Sequence, residues 1–229
     1  MNHAHNVQFL SAWFRNPRQA GALLPSGLRL ARAMAAQVNP GRGLVVELGT
    51  GTGAITRALI ARGVREDQLI LVEKDPALFG EMERRFPGVV ALQGDAAHLG
   101  QLLNRAGVGC PGTLVSSLPL LSMTRRQRLR VLIQMFSILE VGGELVQFTY
   151  SPLPPIPDVL AAALGVSGTR VARVFSNLPP AAVWVYRVCH PRSSVGRSRM
   201  RPHRTLSIDG QRPDRPVDFF SQFKALKLP

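Results

Sequence analysis

The segment "VVELGTGTGAIT", Val45 to Thr56, decides the fold class of this 229-residue chain. A short apolar run carries Glu47 and leads into Gly49, Gly51 and Gly53, after which apolar residues recur at helical spacing. Glycine tolerates turn conformations that other residues avoid, and a helix start offers free backbone N–H groups to a ligand. The segment therefore predicts a buried strand, a tight glycine loop and a helix that together hold a cofactor.

On both sides of this loop, apolar runs typical of buried strands alternate with segments of helical periodicity over residues 43–150. This alternation predicts an α/β fold with a doubly wound, mostly parallel sheet. Asp75 followed by Pro76 predicts the N-cap and first residue of a helix. Arg170–Val188 reads as two strands joined through residues 177–180, a hairpin at the sheet edge, where prolines are tolerated.

Two further acids come at the ends of later strands: Glu73 ends the second strand, and Asp95 follows the third in "QGDA". Dinucleotide-binding loops have the spacing G-x-G-x-x-G, whereas this loop is G-x-G-x-G with an acid two residues ahead. The three acids favour S-adenosylmethionine (SAM): Glu47 would accept from its ammonium, Glu73 from the ribose hydroxyls and Asp95 from the adenine amine. A helix cap or a solvated turn is the alternative for each acid taken alone.

Over roughly residues 43–188 the sequence resembles the class I SAM-dependent methyltransferases. The resemblance implies a Rossmann-like α/β fold with a mostly parallel sheet of seven strands whose last strand is antiparallel. It implies cofactor contacts from Glu47, Gly49, Thr50, Gly51, Gly53, Glu73, Lys74, Asp95 and Ala96. Gly21 and Ser26, which precede the first strand, are expected to contact the cofactor or a phosphate.

The end of the fourth strand, "LVSSLPLLSMT", bears on the methyl acceptor. Enzymes that methylate exocyclic amines of bases have a polar residue here, then Pro, then an aromatic that stacks on the flipped base. In this chain Ser117, Leu118 and Pro119 are followed by Leu120, so the stacking aromatic is missing. The sequence therefore disfavours a base as acceptor, and no nucleic-acid partner is expected.

Four separated motifs resemble one closer family: "FLSAWFRNPRQAGALLPSG", "SSLPLLSMT", "QFTYSPLPP" and "VFSNLPPAAVWVYR". They are similar to the soluble, membrane-associating bacterial phosphatidylethanolamine N-methyltransferases, which are related in fold to the rRNA adenine dimethylases. The resemblance implies methyl transfer from SAM to the head-group amine of phosphatidylethanolamine. An RNA or DNA adenine N-methyltransferase and a SAM-binding protein without turnover are the alternatives.

Catalytic roles are predicted for three residues beside the expected acceptor site. Ser116 and Ser117 would orient the amine or phosphate of the lipid, and Tyr150 would form an aromatic wall that favours methylated ammonium products. Tyr150 as an ordinary residue at the edge of the core is the equal alternative. His98 reads as a solvated surface residue, so no side-chain base is predicted. Desolvation of the lipid amine is expected to lower the pKa of that amine and so favour its neutral form.

The first helical segment is predicted to dock on a membrane. Its apolar face consists of Phe9, Leu10, Trp13 and Phe14, with Arg15 and Arg18 beside it. Aromatic and aliphatic residues over basic neighbours are typical of interfacial helices, and packing of this face on the sheet is the alternative. The arginines of "TRRQRLR", residues 124–130, would meet lipid phosphates, although a solvated face is the commoner reason for such a run.

Charge and composition agree with an anionic partner. The chain carries a formal charge of +14, and residues 190–229 hold nine Lys and Arg against three acids. We divide the chain into a docking and capping segment (1–40), a SAM-binding domain (41–189) and a basic, disordered tail (190–229). Cys110 and Cys189 lack neighbouring ligands, so no metal site or disulfide framework is expected. A cytoplasmic monomer bound peripherally to the inner membrane is predicted.

Overall fold

The computed structural model describes residues 25–175, 177 and 180–189. The strands are β1 (Val45–Leu48), β2 (Leu69–Glu73), β3 (Val90–Gln93), β4 (Thr113–Ser116), β5 (Glu144–Thr149), β6 (Val166–Val174) and β7 (Ala181–Val188). The α-helices are α1 (Pro25–Ala35), α2 (Ala54–Ala61), α3 (Pro76–Arg85), α4 (Leu99–Arg105), α5 (Arg125–Ile138) and α6 (Asp158–Ala163). Short 3₁₀ turns span Glu66–Gln68, Ala96–His98 and Leu120–Ser122.

The strands form one seven-stranded sheet in the order β3-β2-β1-β4-β5-β7-β6. β1 to β5 are parallel to one another, and β7 runs antiparallel between β5 and β6. The predicted fold class and the edge hairpin are therefore confirmed. β6 begins at Val166, four residues before the predicted start at Arg170.

Helices cover both faces of the sheet because the central strands are buried on both sides, as expected for parallel strands. Successive residues of a strand point to opposite faces. Val45 packs with Met34 of α1 and Leu59 of α2 in one core layer. Val46 packs with Leu132 of α5 in the other layer, which also includes α4 and α6.

Local signals start the helices where the sequence predicts. The Asp75 side chain accepts hydrogen bonds from Ala77 N and Leu78 N, with Pro76 at the first helical position. Thr124 and Gln127 form a reciprocal capping box at the start of α5. These caps satisfy N–H groups that a helix cannot pair internally.

Parallel β1–β5 bring their carboxyl ends to one edge of the sheet, and β6, antiparallel to β7, also ends there. We call this the carboxyl edge and the opposite one the amino edge. Glu144 begins β5 at the amino edge and is ion-paired with Arg42 (3.2 Å) and hydrogen-bonded to Arg187 (3.0 Å). The carboxyl edge thus gathers the segments predicted to bind cofactor and acceptor.

Part of the sequence prediction falls on other residues. Several residues predicted to bind membrane or cofactor lie outside the described residues, as does the tail 190–229. These residues are Phe9, Leu10, Trp13, Phe14, Arg15, Arg18 and Gly21. The docking segment, the disordered tail and the domain boundaries therefore stay predictions. Among the described residues, no helix is both long and apolar enough to cross a membrane.

Candidate cofactor and acceptor site

The glycine loop turns tightly between β1 and α2, as its spacing predicts. Gly49, Gly51 and Gly53 all have positive φ, at 75°, 52° and 73°, a region that disfavours side chains. A Cβ added at Gly49 would lie 2.9 Å from Ser117 Oγ, and one at Gly53 would lie 2.8 Å from the ring of Phe86. Glycine is therefore required at both positions by conformation and by close approach.

Glu47 lies beneath this loop with none of its surface exposed. Thr56 Oγ1, from α2, donates to Glu47 Oε2 at 2.8 Å, while Glu47 Oε1 has no hydrogen-bond partner among the described residues. Burial raises the pKa of Glu47 to about 8, and the charge of Glu73 adds to the rise while the Thr56 bond opposes it. A buried polar atom without a partner costs about 1–3 kcal/mol, and a ligand ammonium would satisfy it.

Glu73, at the end of β2, ties the glycine loop to the next loop. Its Oε1 accepts from the backbone N–H groups of Lys74 (2.8 Å) and Asp75 (2.9 Å). Its Oε2 accepts from Gly51 N (3.1 Å) and, more weakly, from Thr50 Oγ1 (3.4 Å). The carboxylate predicted to hold the ribose is thus fixed in orientation by the backbone around it.

Asp95 lies beyond β3 and is held in the same way. Its Oδ1 accepts from Ala97 N at 2.8 Å, capping the 3₁₀ turn that contains the buried Ala96, and Lys74 Nζ approaches its Oδ2 to 2.8 Å. Although burial opposes it, these bonds hold the pKa of Asp95 below its ordinary value. Asp95 therefore stays ionised as a hydrogen-bond acceptor. His98, which ends the 3₁₀ turn, is exposed, as predicted.

Two serines lie at the end of β4, and the second of them, Ser117, supports the glycine loop. Ser117 Oγ donates to the carbonyl of Gly49, and Ser117 N donates to Leu48 O at 3.0 Å. Ser116 is completely buried, and its Oγ accepts from Leu118 N at 3.2 Å. The Ser117 hydroxyl thus positions the glycine loop and the Ser116 hydroxyl holds the turn at Leu118; the catalytic role of both serines stays a prediction.

Tyr150 follows β5 and packs against Phe148, with ring centroids 5.4 Å apart and the planes at 81°. Asn177 Nδ2 lies 3.5 Å from its hydroxyl. Burial raises the pKa of the Tyr150 hydroxyl, and the Asn177 bond opposes the rise. The ring packs against the core layer that contains α1. Its role as an aromatic wall of the acceptor site stays a prediction.

Sequence reasoning missed Gln147 on the acceptor side. Gln147 lies in β5 opposite Ser116 of β4 and Trp184 of β7. Its amide nitrogen donates to Leu118 O (3.0 Å) and Phe148 O (2.9 Å), which fixes the turn before Pro119. A polar residue within the apolar run "ELVQFTY" was the available signal. Ser26 lies in α1, and Gly21 lies outside the described residues.

Within the described ranges, no three side chains of His, Cys, Asp or Glu come together as metal ligands. The polar groups of the site are instead acceptors at three strand ends, with one buried oxygen left over at Glu47. Such a set suits a ligand that carries an ammonium, hydroxyls and an amine. SAM has these groups, so the described residues fit the predicted cofactor.

Solved structures with this architecture are known. The chain is similar to 1,6-didemethyltoxoflavin-N1-methyltransferase of Burkholderia thailandensis, with a TM-score of 0.59 and 16% identity over 82% of this chain and 88% of that one. The fold is that of the class I SAM-dependent methyltransferases. That methyltransferase structure holds S-adenosylhomocysteine, the demethylated product of SAM. Its bound ligand agrees with the cofactor predicted from the glycine loop.

Two sequence relatives extend the comparison, while no protein-family model matches the chain. An ornithine lipid N-methyltransferase of Singulisphaera acidiphila is 27% identical over 185 residues, which are 78% of this chain and 94% of that protein. A ribosomal RNA small subunit methyltransferase A of Paramagnetospirillum magneticum is 33% identical over 103 residues, 41% of this chain. The second match covers 36% of the rRNA enzyme. The lipid enzyme is thus matched over nearly its whole length, and the rRNA enzyme over about a third.

Proposed function

We propose that this protein is a SAM-dependent N-methyltransferase that methylates the head-group amine of a membrane lipid. The observation that carries the proposal is the similarity to an ornithine lipid N-methyltransferase over 94% of that protein. The carboxyl edge supports it, because the acids expected to hold SAM lie at successive strand ends there. Phosphatidylethanolamine, predicted from the sequence motifs, and ornithine lipid both offer an amine as acceptor.

The chain's own residues account for cofactor binding. We propose that the unpartnered oxygen of Glu47 accepts from the ammonium, that Glu73 accepts from the ribose and that Asp95 accepts from the adenine amine. Thr50 makes the longest of the four bonds to Glu73, at 3.4 Å, so a ribose hydroxyl would replace that bond first. Gly51, where an added Cβ would meet no heavy atom within 4 Å, leaves room for a ligand to approach the backbone.

When bound, SAM supplies an electrophilic methyl group on a sulfonium. The lipid ammonium would first lose a proton to solvent, and the lone pair of the neutral amine would then form the C–N bond as the S–CH₃ bond breaks. In-line attack needs a neutral amine, whereas an alkylammonium has a pKa near that of Lys, about 10.4. A site that lowers this pKa is therefore required.

The acceptor side is suited to lowering the amine pKa. Residues 117–139, which follow β4, contain no Asp, Glu or His, but they hold four arginines. Burial beside apolar side chains such as Leu118 would disfavour the ammonium form, and positive charge nearby would act in the same direction. Positioning by Ser117 and Gln147, through the turn they hold, supplies much of the remaining catalysis.

A ribosomal or other nucleic-acid adenine is the second candidate acceptor. The match to the rRNA methyltransferase, 33% identical over 103 residues, favours it. Leu120 at the position of the stacking aromatic counts against it, because a flipped base would have no ring to stack on. A SAM-binding protein without turnover is the third possibility.

One assay separates the three functions. The purified full-length chain would be incubated with methyl-labelled SAM and, separately, with phosphatidylethanolamine vesicles, ornithine-lipid vesicles or rRNA. We expect label in one or both lipids, and the comparison between the two identifies the head group. Label that enters only RNA would overturn the proposal, and SAM binding with label in no acceptor would support the non-catalytic protein.

Membrane docking by the N-terminal segment is proposed with the lipid substrate. Replacing Trp13 and Phe14 with Ser should release the protein from anionic vesicles in a flotation assay, because both side chains would lose their apolar insertion. Retained flotation, with SAM binding unchanged, would count against docking by this segment and against peripheral association with the inner membrane through it.

A further inference from the structure

Seven large apolar side chains of the described residues are exposed to solvent. They are Val90, Leu121, Val141, Leu153, Val159, Val171 and Phe175. The most exposed are Phe175 at 72% and Leu153 at 65%. Single exposed apolar residues need no explanation, but a group of them around a site indicates an interaction surface.

Three of these side chains follow strands that end at the carboxyl edge. Leu121 lies in the 3₁₀ turn after β4, and Phe175 directly follows β6. Leu153 follows β5, where Ser151 N bonds to Thr149 Oγ1 and Leu153 N to Ser151 Oγ. β4 and β6 are three steps apart in the sheet, a distance of about 15 Å at 4.8 Å per strand. One edge therefore presents three apolar side chains around the acceptor site.

The part of the carboxyl edge that follows β4, β5 and β6 is basic, whereas the acid Glu73 ends β2 and the acid Asp95 follows β3. No Asp or Glu occurs in residues 117–139, 150–157 and 171–180, although Asp158 begins α6 directly after the second range. Arg126 and Arg128 lie in the first turns of α5, five and seven residues after Leu121, and Arg173 lies near the end of β6. Cations at a helix N-terminus oppose the helix dipole, and an anionic surface would offset this cost.

We propose that Leu121, Leu153 and Phe175, with Arg126 and Arg128, form a docking surface that lies on an anionic phospholipid bilayer. We call these residues the docking edge. Apolar side chains would insert at the level of the head groups while arginines meet lipid phosphates, as at other membrane interfaces. The inference rests on the proposed function, since docking by this edge sets the acceptor site against the lipid head groups. The residues of the docking edge are different from those of the predicted N-terminal docking segment.

The test compares two double variants of the full-length protein. L153S/F175S removes the most exposed side chains of the docking edge, and V90S/V141S removes exposed valines at the amino edge. Binding would be measured by flotation with vesicles of equal parts phosphatidylethanolamine and phosphatidylglycerol. We expect L153S/F175S to bind about tenfold more weakly than wild type, from the lost burial of apolar area, and V90S/V141S to bind normally.

Normal binding by L153S/F175S, or an equal loss in V90S/V141S, would overturn the proposal. A second measurement does not depend on a loss. Tryptophan placed by F175W should be quenched by vesicles of brominated lipid, while tryptophan placed by V141W should not. The quenching of the parent protein is subtracted from that of each variant. If F175W and V141W then show equal quenching, docking by this edge is contradicted.

Measuring methyl transfer to two forms of the lipid distinguishes a failure of the docking edge from a failure of the proposed function. L153S/F175S should lose methyl transfer to vesicle lipid but keep transfer to short-chain phosphatidylethanolamine dissolved as monomers. If wild type methylates no lipid in either form, the proposed function fails, whereas the flotation and quenching results still decide the docking edge.

Discussion

Two buried glutamates in neighbouring parts of the sheet have opposite surroundings. Glu144, at the amino edge, is 7% exposed and engages the guanidinium groups of Arg42 and Arg187. Glu47, in β1 below the glycine loop, is fully buried and has a single side-chain donor, Thr56. No cation of the described chain meets its second oxygen. The fold satisfies the first glutamate, and we propose that the cofactor ammonium satisfies the second.

This difference distinguishes structure from function without reference to any relative. A buried carboxylate that the protein pairs with its own cations contributes to the fold, whereas an unpaired one destabilises the free protein. A ligand cation bound beside Glu47 would favour its ionised form and so recover part of the free energy lost on burial. We therefore expect Glu47, unlike Glu144, to couple stability, pH and cofactor binding.

The largest expected effect is on the pH dependence of stability. Burial raises the pKa of Glu47 from 4.5 to about 8, so between these values the unfolded chain loses a proton that the native protein keeps. Stability of the SAM-free protein should fall as pH rises through this window, by up to about 5 kcal/mol. Urea unfolding of wild type and E47Q between pH 5 and 9 tests this: the variant should lack this decline. Parallel curves would show that Glu47 ionises normally.

Cofactor affinity should fall next most strongly. E47Q keeps the shape of the side chain but not its charge, and removing one partner of a buried charged pair costs 2–5 kcal/mol. We expect SAM to bind about a hundredfold more weakly, measured by calorimetry at pH 8. An affinity within twofold of wild type would mean that the ammonium lies elsewhere.

The reverse result is expected at Glu144. E144Q leaves Arg42 and Arg187 without their carboxylate, so the free energy of unfolding should fall by about 2 kcal/mol. SAM affinity should not change, since Glu144 begins β5 at the far edge of the sheet. Loss of SAM binding in folded E144Q would break the distinction between the two glutamates.

A smaller effect is expected at Glu73, which already has protein donors on both oxygens. E73A should weaken SAM binding about tenfold, the loss of one or two hydrogen bonds to a charged acceptor. D75A is the matched control, because Asp75 caps α3 in the same loop and should affect stability alone. Equal losses of affinity in both variants would indicate loop disruption and not a lost ribose contact.

Local sequence signals predicted the frame of the molecule. The strand and helix periods, the Asp75 cap and the glycine loop depend on residues close in sequence, and the structure agrees with them. The start of β6 was placed too late because Ser167 and Gly168 are typical of turns. The ring of Tyr186 occupies the space beside Gly168, where a Cβ would lie 2.4 Å from ring carbon Cε1.

Contacts between distant segments could not be predicted. Ser117 reaches Gly49 across 68 positions, and Gln147 reaches Leu118 across 29. Such bonds depend on how β1, β4 and β5 are set side by side, which no local pattern encodes. The burial of Glu47 is of the same kind: the sequence indicated an acid at a strand end but not that one oxygen would lack a partner.

The proposed contact between the cofactor ammonium and Glu47 can be tested directly. Calorimetry of SAM binding at pH 7 in two buffers of different ionisation enthalpy measures the protons released. Because a carboxyl with a pKa of about 8 is mostly protonated at pH 7, binding to wild type should release close to one proton, and binding to E47Q almost none. No release by wild type, or equal release by both proteins, would contradict the claim.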